Sequence, residues 1–250
     1  MKKAIAAALL SAAMALTALP AAAADALTVG TEALTGPFAW IDSKTGDFTG
    51  YDIALMRELC RRAGFEPKFE NLAFDALIPA LATGSIDVVI ADMTITETRK
   101  KRVDFSDPYY ETRQAMLVRE ADAAKLKDLA GLGGRTIAVQ LGSTGALLAQ
   151  SVKGAKTKTF SGLFEAFMDL KNGGSDAVII DAPGIDFFIA RSPHDAEGLV
   201  KVKLDVEPEY LGICVKKGRK GILDRINRAI AEVRADGTYD KIYREWFGDD

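Results

Sequence analysis

Two short apolar runs constrain the fold of this 250-residue chain more than any other feature. They are DVVIA at 87–91 and DAVIID at 176–181, and each delivers the chain to an acid, Asp92 or Asp181. Strands without polar alternation belong in sheets that are covered on both faces. The runs therefore predict two buried strands that each end at a carboxylate.

Strand and helix patterns alternate along the rest of the chain, and the order repeats once. In the first half, LTVGT and PKFEN predict strands, while YDIALMRELCRRAG and FDALIPALATG predict helices, the former ending at Gly64. In the second half, GRTIAVQL predicts a strand, GSTG a loop, and ALLAQSV and LFEAFMDLKNGG two helices. This alternation predicts an α/β protein with two lobes of similar construction.

Two extended segments, at 107–118 and 206–215, are rich in β-branched and aromatic residues. One precedes and the other follows the strands and helices predicted in the second half of the chain. We therefore expect lobe 2, residues 111–208, to be inserted into lobe 1, which is formed by 25–110 and 209–250.

The first 24 residues are typical of a secretory signal peptide. Lys2 and Lys3 precede an apolar stretch that ends at Leu19, and small residues follow up to Ala24. The stretch of about 16 residues is shorter than the ~20 of a membrane-spanning helix, and no lipid-anchoring cysteine follows it. We expect a soluble exported protein, with an uncleaved membrane anchor as the alternative.

Composition narrows the function classes. Without residues 1–24 the chain loses Lys2 and Lys3 and no acid, which leaves 30 basic and 35 acidic residues and disfavours a nucleic-acid binder. Cys60 and Cys214 are the only cysteines, and both have apolar neighbours. Two buried free thiols are expected, with one disulfide as the alternative. His194 is the single histidine, so a zinc site is not expected, nor is any cofactor.

The segment ADMTITETRKKR follows the first apolar run. Ligands of open α/β sheets bind outside the carboxyl ends of the strands, where this segment lies. Thr96 is a suitable N-cap, which places Arg99 in the first helical turn, and a guanidinium binds a carboxylate with two parallel hydrogen bonds. Thr94 adds a hydroxyl. The other three cations are expected to form a solvated face: Lys100, Lys101 and Arg102.

AVQLGSTGALL is a second stretch suited to an anion. Gly142 and Gly145 leave the backbone accessible, and Thr144 supplies a hydroxyl at the start of a helix. No lysine follows the second glycine, as a nucleotide-binding loop requires. Ser143 lacks the flanking residues of a nucleophile elbow.

Asp181 ends the second apolar run and precedes Pro183. A carboxylate at this position is either a helix cap or a ligand for a cation, and the local sequence leaves both open. Opposite a carboxylate site on the other lobe, an acid that binds an ammonium group would complete a site for an α-amino acid.

Jointly, these motifs resemble those of the bacterial periplasmic solute-binding proteins for polar amino acids, extracellular solute-binding protein family 3. The resemblance covers GYDIALMREL, FDALIPALATGSIDVVIADMTITETRKKRVDFSDPYY, GRTIAVQLGSTG, SDAVIIDAP and GTYDKIYREWFG. It implies the type II, Venus-flytrap fold, in which two α/β lobes joined by two crossover hinge strands close on a small ligand. It also implies a monomer that delivers an amino acid to an inner-membrane ABC permease.

The resemblance also implies roles for individual residues. Arg99 would bind the α-carboxylate with help from Thr94 and Thr144, and Asp181 would bind the α-ammonium. Phe74 would pack on the ligand side chain, and Glu32 would contact its terminus. The candidate ligand-binding residues are Glu32, Phe74, Ala91, Asp92, Thr94, Arg99, Gln140, Thr144 and Asp181.

Two departures from the family pattern bear on the ligand. Thr35 stands where many relatives have an aromatic residue, so one aromatic wall is missing or supplied by Phe38 or Trp40. Asp92 stands where glycine or serine is common, and the extra acid either favours a cationic ligand or makes a structural hydrogen bond. Together with Glu32, it favours arginine, lysine or ornithine over glutamine.

Two other functions are weighed against an importer's receptor, for which no enzymatic activity is expected. The fold also hosts cyclohexadienyl dehydratases, and fold alone does not fix function. A sensor ectodomain is the other alternative. It is disfavoured because no membrane segment follows Trp246.

Overall fold

The computed structural model describes residues 24–248. The predicted signal peptide therefore lies outside the described residues, apart from Ala24. Within residues 24–248, none of the helices combines the length and the apolar composition needed to cross a bilayer.

Strands and helices alternate through both halves of the chain. The strands are β1 Asp25–Thr31, β2 Leu34–Thr35, β3 Ala39–Ile41, β4 Phe48–Thr49, β5 Phe65–Asn71, β6 Val88–Val89, β7 Val103–Phe105, β8 Tyr110–Thr112, β9 Gln114–Arg119, β10 Thr136–Gln140, β11 Lys156–Phe160, β12 Ala177–Asp181, β13 Leu199–Lys203, β14 Glu209–Leu211 and β15 Cys214–Lys216. The helices are α1 Tyr51–Ala63, α2 Phe74–Thr83, α3 Glu97–Lys100, α4 Thr144–Ser151, α5 Leu163–Lys171, α6 Ala182–Arg191, α7 Lys220–Ala235 and α8 Thr238–Phe247.

Two five-stranded sheets form the two lobes, as predicted. The first has the order β5-β1-β6-β15-β7, in which β1 is parallel to β5 and β6. The second has the order β11-β10-β12-β9-β13, in which β10 is parallel to β11 and β12. The chain crosses between them on β8 and returns on β14, and these strands pair antiparallel with Glu209 opposite Thr112. The structure is therefore a two-lobed α/β fold with two paired crossover strands.

Both predicted apolar strands are covered on both faces. Val88 packs in a core with Leu55 of α1 and Ile226 of α7, whereas Val89 packs in a separate core with Leu77 of α2. In the other lobe, neighbouring residues of β12 likewise contribute to two different cores. The absence of polar alternation follows from this two-sided burial.

Several boundaries differ from the predictions. The strand predicted at 87–91 is regular only over Val88–Val89, because the chain turns at Asp92, whose φ is +49°. Helix α4 begins at Thr144, inside the predicted loop, with Ser143 Oγ accepting a hydrogen bond from Ala146 N at 3.0 Å. The elements without a prediction include β11, β13 and α6, and also the short strands β2, β3, β4 and β7. The residues of β11 are mostly exposed, so they carry no apolar signal.

Two local predictions are confirmed. Helix α1 ends at Gly64, which adopts the left-handed conformation (φ +72°) that glycine accepts without strain. Cys60 and Cys214 are both buried and free.

A buried acid ties α1 to the turn after β6. Asp52 lies in the first turn of α1 and is fully buried, and its Oδ2 accepts a hydrogen bond from Asp92 N at 2.8 Å. Burial raises the pKa of Asp52 from its ordinary value of 3.8 to about 7, while the hydrogen bond from Asp92 opposes the rise. The charged form of Asp52 is therefore costly to the folded state.

The Asp52→Asn variant tests this cost. Because the pKa of Asp52 is raised on folding, its contribution to the free energy of unfolding is complete below about pH 4 and is lost as the pH rises through about 7. Over that range we expect the free energy of unfolding of the wild type to fall by about 1–4 kcal/mol, whereas that of Asp52→Asn should not show this fall. Urea denaturation at about pH 5 and pH 8 measures the difference.

The control is Asp47→Asn, which removes an exposed acid and should follow the wild type. If the free energy of unfolding of Asp52→Asn and of the wild type changed equally with pH, the charge of Asp52 would not destabilise the folded state.

Candidate functional site

One cleft between the lobes contains all nine predicted ligand-binding residues. Only about 30 Å³ of it is open to the centre of a water-sized sphere, because side chains of the two lobes meet across it. The residues that line it are Glu32, Phe38, Ala39, Phe74, Ala91, Asp92, Thr94, Arg99, Gln140, Ser143, Thr144, Gly145, Leu163, Ile180 and Asp181.

Arg99 enters the cleft from lobe 1. Helix α3 is a single turn whose N-cap is Thr96, as predicted: its Oγ1 accepts a hydrogen bond from Arg99 N at 3.2 Å. The guanidinium donates from Nη1 to Thr94 O at 2.7 Å and from Nη2 to Gly142 O, in the other lobe, at 3.0 Å. Its carbon lies 5.3 Å from the centre of the Phe74 ring, within cation–π distance.

The neighbouring cations behave as a solvated face. Lys100, Lys101 and Arg102 are exposed, and Lys100 Nζ pairs with Glu97 Oε1 at 2.8 Å. The one-turn length of α3 also explains why cations are tolerated at its start, since a single turn has only a small dipole.

Asp181 faces the cleft from lobe 2. It precedes α6, yet its side chain makes no capping hydrogen bond, so the helix-cap alternative is wrong. Its Oδ2 accepts a hydrogen bond from Gln114 Nε2 at 3.2 Å, whereas its buried Oδ1 has no partner among the described residues. Burial, followed by the nearby charge of Glu209, raises the pKa of Asp181 to about 7.

Glu209 links both lobes through hydroxyl groups. Its Oε2 accepts hydrogen bonds from Thr94 Oγ1 at 2.8 Å and from Thr144 Oγ1 at 2.7 Å. Gln114 Nε2 also donates to Thr144 Oγ1, at 3.1 Å. Neither Glu209 nor Gln114 was predicted. Both lie on the crossover segments, where no local pattern distinguishes Glu209 from Glu207.

Glu32 and Gln140 meet across the other end of the cleft. Gln140 Nε2 lies 2.8 and 2.7 Å from the two carboxylate oxygens of Glu32. Burial raises the pKa of Glu32 to about 7, although the hydrogen bond from Gln140 opposes the rise. This end therefore presents a buried acid that a cation would stabilise in its charged form.

The sequence offered Phe38 or Trp40 as the second aromatic wall of the cleft, and only Phe38 is among the residues that line it. Phe38 lines the cleft, but its ring is buried and packs edge-on against Tyr51 and Tyr110. Trp40 is not among the residues that line the cleft. The centre of its ring lies 5.0 Å from the ring centre of Phe187 in lobe 2 and 5.4 Å from that of Trp246.

The charge of the cleft is unbalanced. Its lining includes three acids, Glu32, Asp92 and Asp181, and one cation, Arg99. Within residues 24–248 no group of three or more His, Cys, Asp or Glu side chains is arranged to hold a metal ion. The arrangement suits a small ligand that has a carboxylate for Arg99 and positive charge for the acids.

The chain is similar in sequence and fold to known amino-acid-binding proteins. The chain is 36% identical to the ABC transporter arginine-binding protein 1 of Escherichia coli K12, over 99% of both chains. An ancestral arginine-binding protein is 43% identical in structures with arginine (TM-score 0.84) and with glutamine (0.83). These structures match 90% of this chain, and the match covers 100% and 98% of their own lengths.

The model of the bacterial extracellular solute-binding proteins, family 3, matches residues 27–249. The match spans both lobes and both crossover strands. The chain is therefore a member of the bacterial extracellular solute-binding proteins, family 3.

Proposed function

We propose that the protein binds a polar L-amino acid between its lobes as the receptor of an ABC importer. The observation that carries the proposal is the opposition of charges in one cleft, with Arg99 from lobe 1 and Asp181 from lobe 2. An α-amino acid has the complementary carboxylate and ammonium groups. Both would form charge-assisted hydrogen bonds, which are stronger than neutral ones.

The α-carboxylate binds at Arg99. A guanidinium has five N–H donors, and the hydrogen bonds to Thr94 O and Gly142 O engage two of its nitrogens, which leaves donors for a carboxylate. The hydroxyl groups of Thr94 and Thr144 lie beside the same part of the cleft, and each would assist by exchanging its hydrogen bond to Glu209 Oε2 for one to the ligand carboxylate. The α-ammonium binds at Asp181, whose Oδ1 is buried without a hydrogen-bond partner in the described structure.

The ligand side chain lies along Phe74 and ends near Glu32, with the backbone at Ala91 and Asp92 lining its path. A cationic terminus would stabilise the charged form of Glu32, so we place arginine, lysine and ornithine ahead of glutamine. The names of the relatives support this order. Arginine-binding proteins are among the similar proteins, and the ancestral one has structures with both arginine and glutamine.

Closure follows from the two-lobed architecture. We assign residues 25–110 and 209–250 to lobe 1 and 111–208 to lobe 2, with β8 and β14 as the hinge. The ligand favours the closed arrangement because it contacts both lobes only there. The closed monomer would then dock on an inner-membrane permease, and the signal-peptide pattern at 1–24 supports export to the periplasm.

A thermal-shift screen of the common amino acids and ornithine tests this function. A ligand at about 100 times its dissociation constant adds ~2.7 kcal/mol of apparent stability. Arginine, lysine and ornithine should therefore raise the melting temperature most, followed by glutamine.

The same screen includes prephenate and arogenate. A shift with these compounds alone, or release of an aromatic product, would favour a cyclohexadienyl dehydratase and contradict the receptor function. A chain that no amino acid stabilises would also contradict it.

Arg99→Ala should weaken amino-acid binding at least about 100-fold. The variant loses two charge-assisted hydrogen bonds, each of about 1.5–3 kcal/mol. Arg99→Lys should recover only part of the affinity, because an ammonium cannot form the planar bidentate contact. Isothermal titration calorimetry measures both. The control is Arg102→Ala, which removes an exposed cation three positions along and should bind as the wild type does.

Glu32→Gln tests which ligands the cleft selects. The variant keeps a hydrogen-bonding group of the same shape but removes the charge. Affinity for arginine should fall about tenfold or more, while affinity for glutamine should change less, since neutral hydrogen bonds contribute about half as much as charged ones. Glu232→Gln, an exposed change on α7, is the control. Equal losses for both ligands would contradict a role for Glu32 in selecting cations.

A further inference from the structure

Asp92 is unusual in its backbone conformation. Among residues 24–248 it is the only non-glycine residue with positive φ, at +49°. Such a conformation is most common in glycine, and Asn and Asp are the residues with a side chain that adopt it most readily. The position therefore has a carboxylate where glycine would fit with less strain.

The side chain of Asp92 does not account for the turn. The turn is held by the backbone, since the N–H of Asp92 donates to Asp52 Oδ2 at 2.8 Å. The Oδ1 of Asp92 is buried and has no hydrogen-bond partner among the described residues. A buried oxygen without a partner is costly, which makes a purely structural role for this carboxylate a poor explanation.

A second buried oxygen without a partner faces the same cleft from the other lobe. It is Oδ1 of Asp181, a residue that is only 7% exposed. Asp92 follows β6 of lobe 1 and Asp181 ends β12 of lobe 2, and both line the cleft. Each wall of the site thus has a buried carboxylate oxygen with no hydrogen-bond partner among residues 24–248.

We infer that Asp92 and Asp181 bind one ligand ammonium group between them, so that the charge of the ligand's free amine joins the two lobes. This inference rests on the amino-acid receptor function proposed above. An ammonium has three N–H donors, enough to serve both carboxylates. Asp92 thereby excludes ligands whose amine is acylated or missing.

The pairing makes binding sensitive to pH. Six titratable groups interact electrostatically with Asp92: Asp52, Arg99, Tyr109, Tyr110, Asp181 and Glu209. Burial, and then the charges of Asp181, Asp52 and Glu209, raise the pKa of Asp92 well above its ordinary value. A bound ammonium favours the charged carboxylates, so binding releases protons, and affinity rises with pH towards neutrality.

Calorimetry of the wild type and Asp92→Asn tests the inference, with L-arginine and L-glutamine as ligands. Titrations at about pH 6 in two buffers of different ionisation enthalpy give the number of protons released. Asparagine keeps the shape and tolerates positive φ. The variant should bind either ligand about tenfold more weakly or worse, and it should release fewer protons than the wild type.

Asp92→Gly separates ligand binding from folding. Glycine relieves the backbone strain, so this variant should melt at a higher temperature than the wild type and still bind both ligands more weakly. Asp47→Asn, which removes an exposed acid, should match the wild type in affinity and proton release.

The possible failures are distinguishable. Unchanged affinity and proton release in Asp92→Asn, with Asp92→Gly binding as tightly as the wild type, would overturn the role of Asp92 and leave the receptor function standing. If neither ligand nor any other amino acid binds the wild type, the receptor function itself fails.

Discussion

The cleft between the two lobes buries charged side chains, and the proposed function depends on this burial. Three acids and one guanidinium line a single cleft, and burial raises the pKa of Glu32 and Asp181 to about 7. Charges in such a place are costly unless they meet partners. We propose that a small ligand with both signs of charge provides those partners, and that the same contacts hold the lobes together.

Topology explains why these side chains converge. Glu32, Asp92, Gln140 and Asp181 each lie at or just beyond the carboxyl end of a parallel strand, respectively β1, β6, β10 and β12. In open α/β sheets that edge is where ligands bind. The two sheets present these edges to one cleft, and the chain crosses between the lobes on the paired strands β8 and β14.

Much of this arrangement could be predicted because a continuous apolar run in the sequence shows where a buried strand ends. The runs before Asp92 and Asp181 are covered on both faces, so their sequence reveals where each strand delivers the chain. Glu209 and Gln114 were missed because hinge segments have no such pattern, and their hydrogen bonds with Thr94 and Thr144 join residues that are far apart in the sequence. Strand β11 was missed because an exposed edge strand has no buried face to detect.

A crystal structure with L-arginine tests the central claim most directly. We expect the α-carboxylate within hydrogen-bonding distance of the Arg99 guanidinium and the α-ammonium within hydrogen-bonding distance of Asp181, with the side chain directed towards Glu32. Arginine bound in the reverse direction, or bound outside this cleft, would contradict the claim.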